Sequence, residues 1–61
     1  MPLVTIRMAA GRTTEEVRHL VARVSEAVSE SLDVPIEIVG VHVFDLAPDR
    51  VARGGRLAAD C

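Results

Sequence analysis

The sequence predicts an α+β chain: a strand, one long amphipathic helix, a second strand parallel to the first, and a short hairpin at the end. Three observations predict it. Two windows rich in β-branched residues, 2–8 and 39–45, alternate apolar and other residues with period two. The stretch between them repeats its apolar residues at helical spacing. Beyond Leu46, Pro48 and the Gly54-Gly55 pair favour tight turns over a long regular element.

In the first window Pro2, Val4, Ile6 and Met8 share one strand face, and a proline fits at a strand's start, where its missing N–H costs little. Ala9, Ala10 and Gly11 end that strand. Thr13 and Glu16 have the spacing of a capping box, so the helix is predicted to begin near Thr14. Its buried stripe reads Val17, Leu20, Val21, Val24, Ala27, Val28, Ser31 and Leu32. Glu15 and Glu16 complement the positive end of the helix dipole, while Arg18, Arg23, Glu26 and Glu30 make a solvated outer face. Asp33, Val34 and Pro35 stop the helix, since proline disfavours helical geometry in the residue before it. A turn through Ile36 and Glu37 leads to the second strand, with Val39, Val41 and Val43 on one face and Gly40, His42 and Phe44 on the other. A helix of this length between two strands makes a parallel, right-handed β-α-β unit. The remaining segment is predicted as a loop and a small hairpin, and residues 1–61 form one domain.

A chain of 61 residues buries only about 60% of its unfolded surface, so a monomer would be marginal. Disulfides, a metal or partners usually supply the rest. Cys61 is the only cysteine, and with His19 and His42 it makes a poor metal set, so no intrachain disulfide, metal or cofactor is expected. Partners remain. Hydrophobic residues make up 49% of the chain, more than one tiny core can hide, and an obligate oligomer is therefore expected. Phe44 is the only aromatic residue and the net charge is −2, which together argue against nucleic-acid binding. No charged leader followed by an apolar stretch opens the chain and no apolar run approaches the ~20 residues a membrane span needs. A cytoplasmic, membrane-free protein is the expectation, and a free Cys61 thiol fits a reducing compartment.

Met1-Pro2 followed by an apolar strand, Gly11-Arg12-Thr13, the run from Val24 through Ser25-Glu26-Ala27-Val28 to Val34-Pro35, and Gly54-Gly55 together resemble the 4-oxalocrotonate tautomerase family, over nearly the whole chain. The resemblance implies β-α-β subunits pairing into a four-stranded sheet, a hexamer built as a trimer of dimers, and active sites formed across subunits. It implies an isomerase that moves a proton in a small 2-oxo or 2-hydroxydienoic acid, as in aromatic catabolism. The catalytic base would be the secondary amine of Pro2, exposed by removal of Met1. Independently of the resemblance, an amino-terminal amine titrates nearer neutrality than a lysine, which suits it to such work. If Met1 stays, the nitrogen of Pro2 is an amide without useful basicity.

Arg12 matches the family arginine that grips the substrate's distal carboxylate, a task suited to a planar guanidinium fork. Two positions depart from the pattern. Gly40 stands where well-studied members carry a second arginine, and losing such a positioned cation ordinarily costs roughly a hundredfold in rate. Val51 stands where an aromatic residue usually walls the pocket. Arg53 and Arg50, flanking Val51, and His42, on the face of Gly40, are the candidates to compensate. Two alternatives follow from the departures: one subunit type of a heterohexamer whose homologous partner chain supplies the missing cation, or a non-catalytic oligomer that has kept the fold.

Overall fold

The first strand, β1, spans Leu3–Ala9 and pairs in parallel with β2, Gly40–Leu46, in a register that sets Leu3 beside Gly40 and Ala9 beside Leu46. Between them runs the single long helix α1, Thr14–Leu32, and a 3₁₀ turn at Ile36–Ile38. After β2 come a 3₁₀ turn at Pro48–Arg50, the antiparallel pair β3 (Ala52–Arg53) and β4 (Arg56–Leu57), and a last turn at Ala58–Asp60. This computed structural model describes residues 1–60, so Cys61 and the expectation attached to its thiol lie outside the described residues.

Both long strands start and end one residue later than the sequence windows suggest. The reason is the missing proline N–H. Pro2 contributes only its carbonyl, which accepts from the Gly40 N–H at 3.0 Å, so regular pairing opens after it. At the far end the Ala10 N–H donates to the Leu46 carbonyl at 2.8 Å, carrying the pairing past Met8.

The capping box forms as the spacing predicts: Glu16 N–H donates to Thr13 Oγ1 at 3.1 Å and Thr13 N–H to Glu16 Oε1 at 3.0 Å. The helix ends on Asp33, which takes a left-handed conformation at φ 54, a geometry that aspartate tolerates better than most residues. Val34 N–H then reaches back to the Ser29 carbonyl at 3.1 Å, while Ser29 Oγ donates to the Val34 carbonyl at 2.6 Å.

The predicted stripe needs correction at its C-terminal half. Val17, Leu20, Val21, Val24 and Val28 are half-buried as expected, but so are Ser25 and Ser29, while Ala27, Ser31 and Leu32 are exposed. Two physical causes account for this. A 19-residue helix is about 28 Å long, whereas a seven-residue strand is about 23 Å, so the last turn overhangs the sheet. The chain returning through Val34 covers the serine side instead.

The helix lies on the sheet face made by Pro2, Val4, Ile6, Met8, Val39, Val41 and Val43, all half-buried. No described residue covers the opposite face. Leu3 there is 60% exposed and Phe44 49%, with the Arg7 guanidinium 5.9 Å from the Phe44 ring centroid. Parallel sheets are normally covered on both faces. No described residue is fully buried, and the accessible surface of 4831 Å² exceeds the ~3,900 Å² expected for a folded monomer of this mass. The radius of gyration, 14.3 Å, likewise exceeds the ~10.5 Å of a compact chain of this length. A single copy thus has two layers and no closed core.

Candidate functional site

Pro2 is half-buried at the start of β1, on the helix-facing row, and is tied to β2 through Gly40. The residue before it is not held: Met1 is 94% exposed. Gly40 is not among the glycines with positive φ, so its backbone does not require glycine. A Cβ built there would lie 3.1 Å from Leu3 Cδ1 and 3.8 Å from the Pro2 carbonyl oxygen. The strand position beside Pro2 therefore carries a leucine methyl and no charge. His42, two residues along β2 on the same face, pairs with Thr5 and is exposed.

Arg12 stands at the other end. It follows β1 by three residues and lines a cleft of about 230 Å³ with Thr14, Val17, Val43 and Asp45. A larger groove of about 480 Å³ runs past Arg12 between Met8, Val17 and Leu20. The strand that separates Pro2 from Arg12 is seven residues long, about 20 Å from its first Cα to its last. One chain therefore does not bring the two together.

Arg12 is also less free than a loop arginine read from the sequence. Its Nη1 donates to Glu16 Oε2 at 3.2 Å, so the capping carboxylate serves the helix end and the guanidinium at once. The backbone N–H of Thr13, and after it Arg12, hold the Glu16 carboxyl below the usual carboxylate range. The i,i+4 spacing was the available signal for this pair. Arg12 keeps four of its five N–H donors for a ligand.

Val51 and Arg53 lie in the C-terminal arm. Val51 is half-buried, its carbonyl accepts from Ala58 N–H at 2.8 Å, and it lines a cleft of about 520 Å³ with Ala52, Arg53, Arg56 and Ala58. Arg56 enters this cleft directly opposite Arg53, a placement the sequence reading missed because it depends on hairpin register. Arg50, on the other side of Val51, pairs with Asp49 at 3.4 Å. Among the described residues no group of three or more His, Asp or Glu side chains could hold a metal. Among the described residues no helix is long and apolar enough to cross a membrane.

Residues 2–60 match the family described as tautomerase enzyme. The chain belongs to the tautomerase family. It is 39% identical over 59 residues to a 2-hydroxymuconate tautomerase of Pseudomonas putida, covering 97% of this chain and 94% of that one. To the 2-hydroxymuconate tautomerase of Bacillus subtilis it is 38% identical over 60 residues, covering 98% and 97%. The crystal structure of an apo unfused 4-oxalocrotonate tautomerase superposes with a TM-score of 0.95 at 33% identity, over the whole of both chains. A heterohexameric 4-oxalocrotonate tautomerase from Chloroflexus aurantiacus gives 0.94 at 32% identity, covering 98% of this chain and 97% of that one. The predicted β-α-β tautomerase fold with its C-terminal hairpin is thereby established, and the chain is similar to 2-hydroxymuconate tautomerases over nearly its whole length.

Proposed function

We propose that this tautomerase-family chain isomerises a small 2-oxo or 2-hydroxydienoic acid, with the Pro2 amine as proton carrier after Met1 is removed. The observation that carries the reading is the position of Pro2: it is anchored to β2 through its carbonyl while the residue before it projects into solvent. That leaves the nitrogen side open to an aminopeptidase and then to substrate. Once freed, the secondary amine is a terminal base whose protonated form an apolar surround disfavours. Its lone pair takes the proton of the enol hydroxyl, the oxygen's electrons close the carbonyl, and the carbon–carbon double bonds shift. The prolinium then returns the proton to the carbon chain. Nothing else is consumed, so neither a cofactor nor an external oxidant enters.

Arg12 is the proposed carboxylate clamp, and the ~20 Å of strand between it and Pro2 supports a clamp supplied by a neighbouring copy. The uncovered face around Leu3 and Phe44, and the surface in excess of a compact monomer, support association of copies, with a hexamer as the expected assembly. Val51, Arg53 and His42 are proposed as further lining of the completed site.

Measuring turnover of 2-hydroxymuconate and phenylenolpyruvate by the Met1-processed protein and its Pro2→Ala variant tests this. A loss of roughly a hundredfold or more in kcat/KM is expected. Undiminished turnover by a folded Pro2→Ala protein would contradict it.

A second reading is favoured by the uncharged strand position at Gly40 together with the heterohexameric relative: a homologous chain supplies a cation here. It predicts activity only after mixing with that chain, and full activity of the lone chain excludes it.

A further inference from the structure

The hairpin formed by β3 and β4 carries an arrangement that its own chain leaves unresolved. Gly54 and Gly55 both have positive φ, 62 and 79, the pattern of a two-residue type I′ turn, which fixes the strand register. In that register Arg53 pairs with Arg56. Directly paired residues on antiparallel strands point to one face with Cβ atoms about 5 Å apart, and like charges so placed repel. Both guanidiniums are exposed, and among the described residues neither forms an ion pair or hydrogen bond. Arg50 and Arg12, by contrast, each have a carboxylate. The two free forks overlook a cleft of about 520 Å³ whose remaining lining is Val51, Ala52 and Ala58.

We infer that Arg53 and Arg56 act together as an anion clamp for a carboxylate on a short carbon skeleton. Two planar forks on one face can each donate to the oxygens of a single carboxylate, whose charge also relieves their mutual repulsion. The apolar floor suits the carbon chain attached to it, and inorganic phosphate has no counterpart for that floor. The inference rests on the Pro2 reading for its biological ligand: the arm of one copy supplies, at a neighbour's site, the positive charge that the strand position at Gly40 lacks. Arg56 is then a substrate-binding residue on the same footing as Arg53.

The test uses the processed full chain. Arg53→Gln and Arg56→Gln should each raise KM for 2-hydroxymuconate roughly tenfold, with kcat, oligomeric mass and Tm little changed. Adding Gly40→Arg to the double variant should restore part of the lost kcat/KM, a rescue that a merely structural role for the arm does not predict. Unchanged KM in both single variants, or no rescue, overturns the inference while leaving Pro2-dependent turnover intact. Should the parent prove inactive, binding decides: the Pro2→Ala protein should bind trans,trans-muconate more tightly than inorganic phosphate in a calorimeter, and lose that preference in the Arg53→Gln/Arg56→Gln background. Equal binding of muconate and phosphate, or binding indifferent to the two arginines, overturns it.

Discussion

The two ends of the β1–β2 sheet differ in kind. At the Pro2 end the chain is apolar and tied by backbone: the proline carbonyl on Gly40, a leucine methyl over the glycine, and no charged side chain at that strand pair. At the Arg12 end it is charged and tied by side chains, with Glu16 joining the guanidinium to the helix cap. A proton carrier benefits from the first setting, because an apolar surround disfavours the protonated amine. A carboxylate clamp requires the second. Seven strand residues keep the two apart, so on the proposed reading each copy carries two halves that belong to different sites.

That division is most severely tested at the uncovered sheet face, where the proposed association of copies would bury Leu3 and Phe44. Phe44→Asp places a carboxylate on this face and should abolish assembly and activity together, read by analytical ultracentrifugation beside turnover. An active monomer would break the comparison outright. A smaller effect is expected at the clamp: Arg12→Ala should raise KM for 2-hydroxymuconate roughly ten- to a hundredfold, as for loss of a charge-assisted contact. If KM stays put and only stability moves, Arg12 belongs to the helix cap alone.

The smallest effect sharpens the Arg12 end. Glu16→Gln removes the carboxylate that competes for the guanidinium, and KM should fall by about twofold, consistent with an exposed ion pair. The same variant has a pH signature. Because the folded-state pKa of Glu16 is lowered, its stabilisation is present above the ordinary glutamate value and is lost as the pH falls through the lowered one. Tm against pH should therefore show a slightly shallower acid limb in Glu16→Gln than in the parent, and identical limbs would remove Glu16 from the account.

Much of the fold was legible because local chemistry and tertiary structure agree. The capping box marks the helix start, Asp33 to Pro35 its end, and the strands lie within one residue of their β-branched windows. The helix stripe was legible only where the sheet extends beneath it, since periodicity cannot say that Leu32 overhangs or that Val34 folds back on Ser29. Of the candidate site, Pro2, Arg12, Gly40 and Val51 were singled out by the resemblance to the family, as matches to its pattern or departures from it, and not by residue type alone. Their separation was not legible, because distance along a strand becomes meaningful only once the strand's partner and length are fixed. Arg56 was missed for a related reason: its relation to Arg53 depends on a two-residue turn setting the register.

The central claim is that Pro2 of one copy works with Arg12 of another, and complementation tests it most directly. Pro2→Ala and Arg12→Ala proteins, each weak or inactive alone, should regain 2-hydroxymuconate turnover after unfolding and refolding together, since some sites then receive an intact residue from each variant. Activity of the mixture no greater than the sum of the separately refolded variants would contradict the account.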